Sequence, residues 1–420
     1  MSVLIAGGGE AAVHFVAELR RLGYGEAITI VSDEPGLPYQ RPPLSKGVLR
    51  GEVGPADLIV RDETFFAGLG VEVVHDRVVA AMPPPRGPGS GVAVGSSGRR
   101  YRHSVLALAH GGFARRLDLD ASGPEQHVVR TLADAQRLGD RLRGAARRVG
   151  VVGGGFIGLE VAAVARSLGH EVTVVEQGES VMSRAVSVDV AASVAAIHGG
   201  QGIELVLGAD VRHVQTAPGG GTVIRMPDRS VVVDELVVGI GLEVDGSLAA
   251  QCDLEFDGGV VTDEHGATAH PRIVAFGDCS AQRPAGSRAR PRRIESVANA
   301  TDQAIGAAAV IVGRPRSARP APWFWSDQGQ VKLQMVGGLQ PADQCLLRGD
   351  PASGAFGVLH LRGGVLVGGE FLNRAGDALA ARRLVGAAAR LDPVLAADPD
   401  RRLRDAVHGD DRMLSGGGAR

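Results

Sequence analysis

Two glycine-rich segments have the spacing of a turn that binds a dinucleotide. Residues 7–12 read Gly-Gly-Gly-Glu-Ala-Ala and residues 153–158 read Gly-Gly-Gly-Phe-Ile-Gly, and each follows a short apolar run. The first glycine of such a turn makes the tight bend, and the third residue lets the backbone approach a pyrophosphate. Unpaired N–H groups at the start of the next helix favour the negative charge. These residues therefore predict recognition of a diphosphate.

Each glycine motif is followed by an acidic residue at the end of a second apolar run. The first copy ends at Asp33 and Glu34, and the second copy ends at Glu176. A carboxylate there can accept hydrogen bonds from the ribose hydroxyls, and it would repel the 2′-phosphate of NADPH. The segment after Glu176 contains no arginine that could hold that phosphate. NADH is therefore the predicted nucleotide, although Glu176 could instead cap a surface loop.

The elements that position these residues repeat along the chain. Each copy predicts a strand, a glycine turn, a helix (13–22 or 159–168) and a second strand (27–31 or 171–175). One glycine motif alone is weak because such turns also occur without ligands, but two complete copies predict FAD at one site and a nicotinamide nucleotide at the other. The predicted turn residues are Gly7, Gly9 and Ala12 in the first copy and Gly153, Gly155 and Gly158 in the second.

Composition excludes several other classes of protein. The chain has 420 residues, enough for two or three domains, and a net charge of −2 gives no reason to expect binding to nucleic acid or an anionic membrane. Its cysteines, Cys252, Cys279 and Cys345, are far apart, so the sequence predicts neither a redox pair nor a metal cluster. A signal peptide and an apolar run of about 20 residues are both missing, and we expect a cytoplasmic protein.

Four further motifs resemble those of a known family. In chain order they are residues 37–46 (LPYQRPPLSK), 275–279 (AFGDC), 295–297 (ESV) and 322–328 (PWFWSDQ). Together with the glycine motifs they resemble the FAD-dependent NAD(P)H:ferredoxin reductases of bacterial oxygenase systems, of the putidaredoxin reductase and biphenyl dioxygenase reductase types. The likeness spans nearly the whole chain. It implies that NADH reduces FAD by hydride transfer, and that single electrons pass to a [2Fe-2S] ferredoxin serving a cytochrome P450 or a Rieske-type oxygenase.

The resemblance also implies roles for particular residues. Around FAD it places Ala11, Asp33, Arg41, Lys46, Val78, Arg130, Asp278, Val297 and Trp325. Among these, Asp33 would bind the adenosine ribose and Asp278 the ribityl chain. Asp278 could also be a helix N-cap, and the valines could be ordinary core residues.

Three of the implied residues would act in catalysis. Lys46 would stabilise the negative charge of the reduced flavin, Glu160 would orient the nicotinamide, and Trp325 would lie against the flavin, with Trp323 as the second choice. The alternatives are a solvated lysine, a glutamate that stabilises the helix dipole from the first turn, and a pair of core aromatics.

Two segments depart from the family's pattern. His110 lies between Ala109 and Gly111 where the family has Ala-Thr-Gly, and residues 242–245 replace the usual Arg-Pro-Asn. Both departures fall at predicted crossovers between domains. FAD binding is expected to survive the first.

The resemblance predicts an α/β fold of two Rossmann-like dinucleotide-binding domains, with glutathione reductase-like architecture, plus a C-terminal α+β domain. Residues 1–112 and 242–320 would form the FAD domain, 113–241 the NADH domain and 321–405 the C-terminal domain. Within the last, the pattern predicts strands at 331–336, 357–361 and 365–370 and a helix at 377–389. Residues 83–91 would form a surface hairpin tip, and 406–420 a disordered tail.

An arginine-rich segment could bind the protein partner. It contains Arg283, Arg288, Arg290, Arg292 and Arg293. Such a basic face would attract an acidic ferredoxin in a salt-dependent manner, whereas the alternative is a solvated loop. Rival functions are a flavin reductase for rubredoxin, a nitrite-reducing partner or oxygen, and a redox sensor without efficient turnover.

Overall fold

The computed structural model describes residues 2–119, 123–284, 286–314, 320–337 and 344–408. These residues form two compact units. The first unit comprises the described residues within Met1–Pro43, Val53–Phe113 and Leu242–Arg319, and the second comprises those within Leu44–Glu52, Ala114–Gly241 and Pro320–Arg420. The predicted division of the second unit into an NADH domain and a C-terminal domain stays a prediction.

The strands, in chain order, are β1 (Val3–Ala6), β2 (Ile28–Ser32), β3 (Val71–His75), β4 (Val78–Met82), β5 (Gly91–Gly95), β6 (Arg100–His103), β7 (Val105–Leu108), β8 (Phe113–Ala114), β9 (Arg148–Val152), β10 (Glu171–Val175), β11 (Ile203–Val206), β12 (His213–Thr216), β13 (Thr222–Arg225), β14 (Ser230–Val233), β15 (Glu235–Val238), β16 (Leu242–Glu243), β17 (Val260–Thr262), β18 (Ile273–Ala275), β19 (Ser280–Gln282), β20 (Trp323–Gln328), β21 (Val331–Gly337), β22 (Gln344–Arg348), β23 (Phe356–Arg362) and β24 (Val365–Leu372). The α-helices are α1 (Glu10–Arg21), α2 (Gly47–Arg50), α3 (Glu63–Gly68), α4 (Leu132–Leu142), α5 (Phe156–Ser167), α6 (Val188–Gly200), α7 (Ser247–Gln251), α8 (Val297–Ile311), α9 (Ala375–Gly386) and α10 (Pro393–Ala397).

The first unit is built on a parallel sheet with the strand order β18-β7-β1-β2-β3. Every residue of β1 is buried, because alternate side chains enter different cores: Val3 and Ile5 pack with α1 and α8, whereas Leu4 and Ala6 pack with residues of β4, β5 and β6. Burial on both faces explains why the strand is a continuous apolar run rather than an alternating one. The loop after β1 therefore lies where the strand order reverses, at the carboxyl edge of the sheet.

The second unit contains an equivalent parallel sheet with the order β11-β10-β9-β15. Its central strand β9 is followed by α5, which packs against β9 and β10. The predicted strand-helix-strand repeats are therefore present in both units, although the helices begin three residues earlier than expected. They begin earlier because Gly9 and Gly155 act as the helix N-caps.

The C-terminal part of the second unit is an antiparallel sheet with the order β20-β21-β24-β23-β22. The predicted strands correspond to β21, β23 and β24, and helix α9 packs against β24 and β21. Helix α9 ends at Gly386, earlier than predicted, and Ala388 beyond it has a positive φ of 49°. A left-handed residue cannot continue the helix, which is the physical reason for the early end.

Residues 83–90 connect the antiparallel strands β4 and β5, as expected of a hairpin tip, and Gly91 is already the first residue of β5. Of the predicted tail, Ala406 and Val407 are buried in the C-terminal core, and residues 409–420 lie outside the described residues. In the described part of the chain, no helix is long and apolar enough to cross a membrane.

Candidate functional site

Two glycines of the first turn differ in what a side chain would meet there. Gly7 has a φ of 119°, and a Cβ atom there would lie 2.2 Å from the carbonyl oxygen of Ala109. A Cβ atom on Gly9, in contrast, would meet nothing within 4 Å. Gly7 is thus required by the fold, whereas Gly9 leaves open space at the N-terminus of α1. That space fits a diphosphate, which needs close approach to backbone N–H groups.

A small cavity of about 40 Å³ lies beside this turn in the first unit. Its lining includes Gly7, Asp33 and Val78, all three of which were predicted to bind FAD. It also includes His110, at which the sequence differs from the family's pattern. Asp33 supplies a carboxylate for ribose hydroxyls. The buried Nε2 atom of His110 has no hydrogen-bond partner among the described residues, and burial lowers the pKa of its imidazole.

The predicted ribityl-binding turn is held by helix α8. Gly277 N–H donates to the Gln303 Oε1 atom at 2.6 Å, and the Ser280 hydroxyl donates to the same oxygen at 3.1 Å. A Cβ atom on Gly277 would lie 3.5 Å from the Ala11 Cβ, so Asp278 follows a residue close to the first turn of α1. Asp278 lies inside a short 3₁₀ helix, Gly277–Cys279, whose N-cap is Phe276. The N-cap alternative for Asp278 therefore does not describe this turn.

The remaining residues predicted around FAD lie in different places. Val297 is the first residue of α8, and Ser296 caps that helix by accepting from the Asn299 N–H. Arg41 donates to a Glu34 oxygen at 2.6 Å, one residue beyond Asp33. Ala11 and Ala12 are buried in α1. Arg130 lies just before α4 in the second unit, which also contains Lys46 and Trp325.

The second glycine turn is constrained at its last residue as well as at its first. Gly153 has a φ of 106°, and its Cβ would lie 2.5 Å from the Gly239 carbonyl oxygen. A Cβ on Gly158 would lie only 2.0 Å from the Gly153 carbonyl oxygen. At Gly155 the nearest atom would be 4.0 Å away. Open space again lies at the N-terminus of the helix, here α5, where a nucleotide diphosphate fits.

Glu176 lies against the second turn. Its carboxylate accepts hydrogen bonds from the Gly154 N–H at 2.6 Å and the Gly178 N–H at 2.7 Å. The loop-capping alternative is therefore present in the geometry. It does not exclude ribose binding, since two carboxylate oxygens offer about four lone-pair sites.

Glu160 is far more constrained than a glutamate that only stabilises a helix dipole. It is 3% exposed, and it accepts hydrogen bonds from the Lys46 Nζ at 2.6 Å and the Ser45 Oγ at 2.5 Å. The Ser326 Oγ donates to its other oxygen at 2.5 Å. Two predicted catalytic residues, the half-buried Lys46 and the buried Glu160, thus form an ion pair within the second unit. A buried carboxylate requires such donors, because desolvation without them is costly.

Sequence reasoning missed the residues that hold Glu160. Ser45, Ser326 and Gln328 lie inside the motifs, but they were assigned no role. Gln328 donates to the Ser326 Oγ at 2.8 Å, and the Gln328 Oε1 lies 3.0 Å from the His198 Nε2. Burial lowers the pKa of His198, so its neutral ring donates through Nε2. Nothing in the sequence pattern distinguished His198, which lies in α6.

Trp325 is half-buried on β20 and stacks on Trp323 with ring centroids 4.8 Å apart. Since side chains alternate along a strand, Trp325 points to the face opposite Ser326. The Arg382 guanidinium lies 5.5 Å from the Trp323 ring centroid. The tryptophan pair therefore contacts its own domain on one side, and whether Trp325 also lies against a flavin stays a prediction.

The arginine-rich segment is partly neutralised by acidic neighbours. Arg283 pairs with Glu255, Arg290 with Asp257 and Arg293 with Glu295. The segment's Arg288 and Arg292 are exposed. The basic face is therefore weaker than the sequence suggested.

Comparison with known proteins gives consistent results over nearly the full length. Residues 1–304 match the pyridine nucleotide-disulphide oxidoreductase model, and residues 323–407 match the reductase C-terminal model. Rhodocoxin reductase of Rhodococcus erythropolis is 36% identical, covering 97% of this chain and 94% of its own. The ferredoxin reductase for the CYP199A2 system of Rhodopseudomonas palustris has a TM-score of 0.89 at 36% identity, covering 97% and 100%. Putidaredoxin reductase, in its covalent complex with putidaredoxin, has a TM-score of 0.88 at 30% identity, covering 99% of each chain.

These matches confirm the resemblance, the fold class and the expectation of an oxidoreductase that uses FAD and a nicotinamide nucleotide. They do not test the individual site residues, which stay predictions. The chain belongs to the pyridine nucleotide-disulphide oxidoreductase family and carries a reductase C-terminal domain.

Proposed function

We propose that this protein is a cytoplasmic NADH-dependent reductase that supplies electrons to a [2Fe-2S] ferredoxin for a cytochrome P450 or a Rieske-type oxygenase. The observation that carries the proposal is the full-length likeness to the ferredoxin reductase for the CYP199A2 system. The spacing of the cysteines supports it, because a disulfide-reducing member of the family would need two neighbouring thiols. Cys252, Cys279 and Cys345 offer no such pair in the sequence.

FAD, when bound, supplies the conversion of a hydride from NADH into single electrons. The protein supplies binding and orientation. In the first unit, the N–H groups at the start of α1 would hold the FAD diphosphate, Asp33 the ribose, and Asp278 the ribityl chain. In the second unit, the start of α5 and Glu176 would hold the corresponding groups of NADH.

The ion pair between Lys46 and Glu160 would control charge and orientation near the nicotinamide. Glu160 lies in the first turns of α5, immediately after the glycine motif that would bind the NADH diphosphate. Its carboxylate is fixed by Ser45 and Ser326 from two other segments, so it need not reorganise when the nucleotide binds. The Lys46 ammonium group lies 2.6 Å from the Glu160 carboxylate and offsets its negative charge.

An anaerobic titration of the purified protein with NADH, and separately with NADPH, tests the nucleotide sites by the visible absorbance of the flavin. Rapid bleaching by NADH and slow bleaching by NADPH are expected. The matched variant Glu160→Gln should retain FAD, but NADH should reduce its flavin at least tenfold more slowly. The substitution removes the negative charge of the side chain and keeps its shape. A colourless protein, or a flavin that NADH cannot reduce, would contradict the proposal.

The acceptor is tested by a panel containing a [2Fe-2S] ferredoxin, rubredoxin and oxygen. Fastest turnover with the ferredoxin is expected. We place its docking surface near Arg288, Arg290, Arg292 and Arg293; charge reversal at Arg288 and Arg292 should slow ferredoxin reduction at low salt, with little effect on NADH-dependent bleaching. An unchanged rate and salt dependence would show that this loop is only solvated.

A further inference from the structure

An exposed thiol in the C-terminal sheet has a buried base behind it. Cys345 on β22 and His360 on β23 are cross-strand partners, and the Cys345 Sγ lies 3.5 Å from the His360 Nδ1. The His360 Nε2 in turn lies 3.1 Å from a Glu370 oxygen on β24. Cys345 is exposed to solvent, whereas His360 and Glu370 are 2% and 1% exposed. The three side chains therefore run from the surface into the sheet.

The Glu370 carboxylate determines which nitrogen of His360 carries the hydrogen. The other nitrogen, Nδ1, is then the acceptor that faces the Cys345 thiol. Glu370 accepts hydrogen bonds from the Ser187 N–H at 2.9 Å and the Ser187 Oγ at 2.8 Å, which suits an ionised carboxylate held in one position. An ionised carboxylate only accepts, so His360 carries its hydrogen on Nε2. In this tautomer of the neutral ring, the lone pair of Nδ1 faces the Cys345 thiol. This is the order of nucleophile, base and orienting acid that activates a cysteine.

We propose that Cys345 is a thiol-modification site that reacts with disulfides of low-molecular-weight thiols. His360 Nδ1 takes the proton from Sγ, and the thiolate attacks one sulfur of R–S–S–R. The Cys345–sulfur bond forms as the original S–S bond breaks. The leaving thiolate R–S⁻ takes the proton from the imidazolium, so Cys345 is oxidised to a mixed disulfide and one R–SH is released.

The other two cysteines provide a built-in contrast. Both are buried, and burial raises the pKa of Cys252 to about 11 and that of Cys279 to about 12. A buried thiol that is held protonated reacts slowly, since the thiolate is the nucleophile. Selective reaction at one of three cysteines is therefore expected.

The test uses the full-length FAD-loaded protein treated with dipyridyl disulfide at neutral pH, with the labelled cysteine identified by peptide mass spectrometry. Cys345 should react at least tenfold faster in the native protein than in protein unfolded with guanidinium, while native Cys252 and Cys279 stay unlabelled. Cystine should then give a mixed disulfide at Cys345 that dithiothreitol reverses. A native rate equal to or below the unfolded rate would overturn the proposal.

Variants separate an activating base from a merely structural neighbour. His360→Gln should lower the native labelling rate to about the unfolded value, and Glu370→Gln should lower it by a smaller factor. Cys345→Ser should abolish labelling and leave NADH-dependent flavin reduction unchanged. Unchanged labelling in folded His360→Gln would contradict the base role; if that variant does not fold, the comparison of native with unfolded protein decides alone.

Discussion

The two glycine turns begin with the same three glycines but differ in how closely the helix approaches the turn. In the second unit a Cβ on Gly158 would collide with the Gly153 carbonyl oxygen at 2.0 Å, so only glycine fits. In the first unit the equivalent position is Ala12, whose Cβ is accommodated although the residue is fully buried. Both turns nevertheless leave open space at the third residue of the motif. Packing therefore requires some motif glycines, whereas the third glycine of each motif leaves the space in which a diphosphate is predicted to bind.

The largest expected effect follows from the packing glycine. Gly158→Ala should destabilise the protein by about 1–3 kcal/mol or prevent folding, because the new methyl group meets rigid backbone. Urea unfolding, followed by far-ultraviolet circular dichroism, measures the change. The reverse substitution in the first unit, Ala12→Gly, should cost only about 1 kcal/mol from helix propensity. Equal unfolding midpoints for Gly158→Ala and the parent protein would contradict the proposed difference between the turns.

The next largest effect concerns the open glycines. Gly9→Ala and Gly155→Ala should change stability by less than about 1 kcal/mol, since each is only a helix N-cap substitution. Gly9→Ala should weaken FAD binding to the apoprotein at least tenfold, and Gly155→Ala should weaken NADH binding similarly while FAD stays bound. Fluorescence quenching of FAD and flavin bleaching by NADH measure the two affinities. Loss of stability without loss of affinity would assign these glycines to packing instead.

A smaller effect is expected at the acid of the second site. Glu176→Gln removes the negative charge that would repel a 2′-phosphate, so the preference for NADH over NADPH should fall several-fold. The ratio of the two kcat/KM values measures this preference. Asp33→Asn is the matched control, and it should weaken FAD retention without altering the ratio. If the ratio is unchanged in Glu176→Gln, this residue only caps the loop.

The smallest effect concerns pH and the histidine beside the first turn. Burial lowers the pKa of His110 from its usual 6.5, with Asp33, Asp245 and Arg77 as the charged groups around it. The unfolded chain therefore binds this proton more readily, and acidification below about 6.5 should lower the free energy of unfolding. The His110→Thr apoprotein should lose less stability between pH 7 and pH 5 than the parent. Parallel pH profiles for the two proteins would argue against this contribution.

Much of the fold was predictable from local patterns. The two strand-turn-helix-strand repeats, the hairpin tip at 83–91 and three strands of the C-terminal sheet follow from the spacing of apolar, glycine and proline residues along short segments. The predicted end of α9 was wrong because Ala388 adopts a left-handed conformation that stops the helix. An alanine in the sequence does not predict that conformation. The assignment of residues 44–52 to the second unit was also not predictable, since no composition change marks that segment.

The sequence alone determined the chemistry of the two dinucleotide turns, because the tight bend, the helix start and the acid after the next strand are encoded within about thirty residues. Only the tertiary structure decided which side chains surround Glu160, whose donors Ser45, Lys46 and Ser326 come from segments more than a hundred residues away. The same holds for the contact between His360 and Cys345, which depends on the register of neighbouring strands. Local spacing specifies local backbone geometry, whereas the convergence of distant side chains is set by strand order, register and helix packing, which no single segment encodes.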